Sequence, residues 1–317
     1  MTVHRSMTVA LLGLLALSGV ARATNYWSYS YQGIDVMASS DAALARTVAH
    51  NVHRVDRVAR TLIDWDTAAR LPPTHVYLLH HPTFVELMDR PKFSSRFQVW
   101  AIARAGFSID QGENYVLLDA LDPTTNRYYG AYYGLGGSIL AAAGMHYPMW
   151  FSIGFERVLA STRISGTQVT LGAVDPWVGK VILTWQLKFI ATRDLLTLKA
   201  DDPLLASDFM TERYAAECWL LVHLIMIEGQ HKAEFVEYLQ RLNEGMDESA
   251  AFAASFKLSY DDLDTLLKEA IRHGRVETRS FNLPDEPDAD APRRLSAAAA
   301  EAQISKLSAV RRAHPDT

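Results

Sequence analysis

The chain has 317 residues, 49% of them hydrophobic and 21% charged, with a formal net charge of -5. That is the composition of a globular protein with material for one large domain or two small ones, and it offers neither a nucleic acid nor an anionic membrane the basic surface each would need. A single cysteine, Cys218, rules out an internal disulfide and a cysteine-based metal cluster.

The first 23 residues read as a processing signal. His4 and Arg5 make a weakly basic start, Thr8 to Val20 is apolar, and Ala21-Arg22-Ala23 places small residues where a signal peptidase needs them. The run makes about 20 Å of helix, too short to span a bilayer. Cleavage after Ala23 would remove Arg5 and Arg22 and leave a net charge of -7. Export of a chain without disulfides fits a bacterial periplasm, so the expected location is periplasmic or secreted. No later run is long and apolar enough to predict a transmembrane segment.

From Tyr26 to Ser39 aromatic and polar residues alternate as in a half-buried strand. Ser39, Ser40 and Asp41 are capping residues for a helix over 42–63, whose apolar stripe is Leu44, Val48, Val52, Val55, Val58 and Leu62. His50 and His53 fall among Arg46, Arg54 and Arg57 and are expected on its surface. THVYLL over 74–79 predicts a strand, followed by His80-His81, for which no third metal ligand is evident, and a short helix over 82–88. Strands are expected at QVWAIARAG (98–106) and NYVLLDAL (114–121).

Helices are predicted at 129–143 and 150–162, then a hairpin over 165–174 turning at Gly166. Further helices follow at 191–198, 212–227, 232–243, 249–256 and 260–273; Cys218, inside the apolar fourth-last of these, is expected to be buried and inert. Past Arg275 the segment FNLPDEPDADAPRR reads as an acidic linker. The final stretch 295–314 predicts one helix, either partly disordered or a docking element. The domain organisation is therefore a signal peptide at 1–23, a main domain at 24–275, and a linker with terminal helix at 276–317.

Several of these segments, in this order, resemble the secreted bacterial peptidase-MA-like proteins of the gluzincin superfamily, from about Trp27 to Ile271. VYLLHHPTF matches the family's strand and Phe-bearing helix, and NYVLLDA its strand before the active-site helix. PMWFSIGFERVLA (148–160) is similar to the pattern Pro-x-Trp-Leu-x-Glu-Gly-x-Ala-Glu, while TRDLL and AECWLLVHLI are similar to two later landmarks. The resemblance implies an α+β, zincin-like fold: an N-terminal mixed sheet with helices and a mostly helical C-terminal half.

In active relatives a His-Glu-x-x-His helix supplies two zinc ligands and the general base, and the Glu of the Glu-Gly pair supplies the third ligand. With Trp150 set on the family's Trp, Ile153 falls at the third-ligand position and Gly154 on the family's Gly. Counting back puts Tyr133, Gly134 and Gly137 where His, Glu and His belong; a longer loop would put Gly130, Ala131 and Gly134 there. Neither register has a ligand or the base, so no cofactor is expected. His146, Glu156, Asp119 and His223 do not have ligand spacing; Glu156 is expected to face solvent or pair with Arg157 or Arg163, and His223 to be a packed helix histidine. Gly134, Gly136 and Gly137 each weaken a helix by roughly 1 kcal/mol against Ala.

The expected site is an apolar, closed cleft filled by Tyr132 and Tyr133, with Tyr129, Tyr132, His146, Trp150, Glu156 and His223 as candidate pocket residues. The functional expectation is a secreted, catalytically silent relative that binds a peptide or protein; the sequence fixes no oligomeric state. Two alternatives stand beside it: a hydrolase with a non-standard site, including a reconstructed metallopeptidase, and a domain tethered to an assembly by its tail. No Gly-x-Ser-x-Gly elbow is present, though a dispersed triad leaves no local signature.

Overall fold

A computed structural model describes residues 25–39, 41–63, 71–88, 105–120, 128–174, 178–179, 189–273, 276–285, 287–288 and 290–313. The expected signal peptide and most of the strand placed at 98–106 lie outside these residues. The architecture is α+β, with a mixed sheet in the N-terminal half and a mostly helical C-terminal half.

The alternating segment from Tyr26 folds as two strands rather than one. Gln32 and Gly33 both take positive φ (50° and 79°), so β1 (Trp27–Tyr31) turns back on β2 (Ile34–Ala38) as an antiparallel hairpin. Gly33 meets that requirement without a Cβ penalty. Helix α1 (Ala42–Leu62) follows, its first turn capped by Asp41, whose carboxylate accepts the Leu44 N–H at 2.7 Å. Then come β3 (Thr74–Leu79), α2 (His81–Met88), β4 (Ala105–Asp110) and β5 (Glu113–Asp119). The strand order is β4-β5-β3-β2-β1, with β2, β3 and β5 parallel and both outer pairs antiparallel.

The central strands are apolar at successive positions because both faces of the sheet are covered. Val36, Val76, Leu78, Val116 and Leu118 join the main core with α1 and with α3 (Tyr129–Ala142). Met37, Tyr77, Leu79, Tyr115 and Leu117 face the other way. Their cover is α2 and, from the far end of the chain, α10 (Ala297–Ala313), which contributes Ala300, Leu307 and Val310.

The helical half begins with α4 (Met149–Ala160), followed by the hairpin β6 (Arg163–Ser165) and β7 (Gln168–Leu171) around Gly166, as expected. After α5 (Thr192–Thr197) and a 3-10 turn, α6 (Asp208–Met226) starts four residues before the apolar run, where Ser207 accepts the Met210 N–H. It is buried on every side from Thr211 onward. Around it lie α7 (Lys232–Asn243), α8 (Glu248–Ser255) and α9 (Tyr260–His273).

The segment read as a linker has definite partners. β8 (Arg279–Asn282) adds a third strand to β6–β7, and the two-residue β9 (Arg293–Arg294) pairs with the outer edge of β1. Between them, Asp285 and Asp288 settle on α1: the two ring nitrogens of His50 lie 2.8 Å from Asp285 and 2.9 Å from Asp288, and Arg54 donates to Asp285 at 2.5 Å. Arg46 also pairs with Asp288. His50, expected at the surface, is therefore buried (3% exposed), because the acidic strap that covers it comes from 230-odd residues further along the sequence. His53 is half-buried, its ring edge against Tyr31. Among the described residues no helix is long and apolar enough to cross a membrane.

Candidate functional site

Helices α3 and α4 lie side by side, so the positions named from the sequence meet along one seam. On α3, a Cβ on Gly136 would stand 3.0 Å from the Glu156 Cα, and one on Gly137 would stand 2.8 Å from the Glu156 Oε1. Helix propensity explains neither glycine. At Gly136 the α4 backbone itself passes close by, and at Gly137 the Glu156 carboxylate occupies the space a side chain would take. On the far side of α4, a Cβ on Gly154 would come within 2.5 Å of the Val222 Cγ2 and closer still to the Cys218 carbonyl oxygen. Helix α4 is thus held between α3 and α6 through glycine contacts on both faces.

The polar centre of this seam is Glu156 and Tyr133. They share a side-chain hydrogen bond, with the phenol donating to the carboxylate. Burial lifts the Glu156 carboxyl to about 7, against smaller opposing effects from the Tyr133 hydrogen bond and the Arg157 charge. Burial also pushes Tyr133 well above its ordinary value, with the Glu156 charge adding to the rise. The sequence suggests that Glu156 faces solvent or pairs with Arg157 or Arg163; its side-chain partner is Tyr133, with the Arg157 charge also acting on it. It is half-buried, and the cleft expected to be apolar holds an acid and a phenol. Arg157 is turned toward α6, where its guanidinium lies 3.5 Å from Glu212.

The other candidate residues separate. Ile153 is buried (6% exposed) in the main core. Gly134 and Gly137 are half-buried, and Tyr129 is half-buried at the start of α3. Tyr132 is fully enclosed and stacks on Tyr128, while Trp150 sits in an aromatic cluster with Phe151, Phe235 and Tyr238. Those two are core, with no face open to a ligand. His146 is exposed and fixed through its backbone, exchanging two hydrogen bonds with the Asn243 side chain at 2.8 and 2.9 Å.

His223 is a packed helix histidine, as expected: it is fully buried, lies against Trp219, and its Nε2 is 2.8 Å from the Glu277 carbonyl, to which it donates. Burial lowers its pKa to about 4, so the ring is neutral. Cys218 is buried, and that burial drives its thiol well above the ordinary range. It has no nucleophilic character there.

Two further polar features lie away from the seam. At the C-terminal ends of β5 and β3, the His81 Nδ1 is 2.6 Å from the Asp119 Oδ2. At the opposite end of the sheet, a cleft of about 760 Å³ is lined by Gln32, Gly33, Ile34, His53, Asp56, Arg57, Arg60, Leu71 and Pro73. Neither includes a residue of α3 or α4.

Zinc requires imidazole, thiolate or carboxylate donors converging on one point. Tyr133, Gly134, Gly137 and Ile153 supply one weakly acidic phenol, and Glu156 supplies one carboxylate; this set does not fit the ion. Among the described residues no group of three or more His, Cys, Asp or Glu side chains is placed to share a metal. No protein-family model and no curated protein matches the chain.

Sequence reasoning found the seam and missed its chemistry. The signal was present in Gly136-Gly137, since paired glycines in a helix interior mark a close neighbour. The neighbour's identity follows only from the pairing of α3 with α4.

Proposed function

We propose that this chain is an exported, non-catalytic protein with a zincin-like, metallopeptidase-derived scaffold, and that it binds a peptide or protein along the α3–α4 seam. The observation that supports this reading is the Tyr133–Glu156 pair. It stands where the resemblance would put a metal centre, with Ile153 packed one turn away. A phenol donating to a half-buried acid, over bare glycine backbone, offers polar groups that a bound peptide could use, and lacks the donor set that would hold a water-polarising metal.

The test is a zinc titration of the purified protein together with a screen of random-sequence peptides. No stoichiometric zinc binding at submicromolar concentration, with saturable capture of peptides, is the expected result. Stoichiometric zinc uptake would overturn the non-catalytic part of the reading, and absence of any peptide capture would overturn the binding part.

One observation favours a second reading, a hydrolase with non-standard chemistry. A carboxyl lifted to about 7 is in the range of a general acid or base. Peptide and ester substrates assayed with and without a chelator separate the two. Turnover insensitive to chelator and lost in Glu156→Gln would establish the second reading, and chelator-sensitive turnover a metalloenzyme.

A further inference from the structure

The cleft of about 760 Å³ at the other end of the sheet is large enough for a small molecule. One wall is the C-terminal half of α1. There His53, Asp56, Arg57 and Arg60 recur at three- and four-residue spacing, so they share one helix face. The opposite wall is the tip of the β1–β2 hairpin, Gln32 and Gly33, with Leu71 and Pro73 at the entry to β3.

The charges lining this cleft differ in access. Asp56 is the only acid among the described lining residues. It is 3% exposed, and its carboxylate already accepts from Arg60, four residues on. Arg57 and Arg60 are only half-buried, and the Arg60 side chain keeps 35% of its surface. Arg57 makes one long hydrogen bond, to the Pro284 carbonyl at 3.4 Å. The nearest carboxylate of the strap, Asp285, is held by His50 and Arg54. A solute entering the cleft therefore meets guanidinium groups first. The helix dipole favours a cation in the last turn, which accounts for Arg60 and leaves Arg57, further back along α1, without that reason.

From this arrangement we infer that the cleft binds a small organic oxyanion, a carboxylate or a phosphate monoester, through Arg57 and Arg60. This is a second site, apart from the α3–α4 seam, and does not depend on the peptide-binding reading. A guanidinium presents paired N–H donors that match the two oxygens of a carboxylate or phosphate. Leu71, half-buried, and Pro73, exposed, offer apolar surface to the body of such a molecule. A metal cation would face two positive groups, and a long polyanion would be repelled by a chain of net charge -5.

Isothermal titration of the full-length protein with hexanoate, hexyl phosphate and hexanamide tests this. At least one of the two anions is expected to bind about tenfold or more tightly than the neutral amide, and the stronger of them tells carboxylate from phosphate. Arg57→Ala should weaken that binding about tenfold, and Arg57→Lys, which keeps the charge and loses the fork, by less. Arg60→Gln, which retains a donor for Asp56, should also weaken it about tenfold. Lys306→Ala, which removes an exposed cation on α10, should leave it unchanged. Melting temperatures confirm that each variant is folded. No binding of either anion, equal binding of hexanamide, or undiminished affinity in folded Arg57→Ala and Arg60→Gln would overturn the assignment. None of these results bears on the seam, which the peptide screen tests separately.

Discussion

At Gly137 a carboxylate from the next helix, that of Glu156, stands where a side chain would be. The carboxylate's raised pKa has a thermodynamic consequence. Glu156 binds its proton more tightly in the folded chain (about 7) than at its ordinary 4.5, so the folded state holds more protons than the unfolded state between those values. Its contribution is therefore favourable below pH 4.5, falls as pH rises, and levels off above about 7, a loss of roughly 3 kcal/mol at most. Glu217 has a carboxyl lifted to about 7 as well, chiefly by burial, and adds a slope of the same sign. The comparison to make is thus between wild type and Glu156→Gln: the variant should have the shallower decline in melting temperature from pH 5 to pH 8, and the higher melting temperature at pH 8. A parallel decline in both proteins would show that Glu156 is not desolvated in solution. Gly154 permits a sharper prediction. Gly154→Ala drives a methyl into the Cys218 backbone carbonyl and the Val222 side chain, and should cost about 3 kcal/mol or more in denaturant unfolding.

At the scale of elements, the final helix behaves as part of the sheet's core. Ala300, Leu307 and Val310 are at most 5% exposed against Met37, Tyr77, Leu79, Tyr115 and Leu117. Polar contacts also hold the strap and helix: Asp285 and Asp288 on α1, Arg311 donating to the Leu87 carbonyl at 3.0 Å, and Lys306 lying 5.3 Å from the centre of the Tyr115 ring. Their magnitudes differ. An exposed ion pair is worth about 0–1 kcal/mol, whereas truncating a buried leucine costs about 2–5 kcal/mol. Leu307→Ala should therefore lower stability by about 2–4 kcal/mol in urea unfolding. Lys306→Ala, whose side chain is 56% exposed near Glu113, should change it by less than about 1 kcal/mol. If Lys306→Ala costs more than Leu307→Ala, the helix is held by charge and not by its apolar face.

For the whole molecule, the tail crosses from one side of the sheet to the other. It adds β8 to the small sheet, lays its aspartates on α1, pairs β9 with the edge of β1, and ends as α10 on the opposite face. Removing residues 276–317 would expose the second apolar face of the sheet and the outer edge of β1 together. Such a face and edge are aggregation-prone. The truncated protein should bind a hydrophobic dye more strongly and elute as larger species in size-exclusion chromatography; a monomer with unchanged melting temperature and dye binding would show that the tail is dispensable to the fold.

Much of the local structure follows from local pattern. The apolar stripe of α1 and its Asp41 cap, the YVLL-type runs of the buried strands, the turn at Gly166 and the apolar length of α6 all depend on residues a few positions apart, which the chain order displays directly. The α+β class was what the resemblance carried by those segments implied, and it is the class of the structure. Tertiary structure decided what depends on contacts between distant segments. Gln32-Gly33 splits one alternating run into two strands, because the hairpin has a sheet to join. Asp285 and Asp288 bury His50, and the segment read as a linker becomes strap and, on either side of these aspartates, sheet edge. The glycines at 136 and 137 announced that something approaches α3, but the approaching group is named only when α4 is laid across it. A carboxylate's charge state depends on how much water it loses, and that is a property of the packed seam rather than of any stretch of sequence.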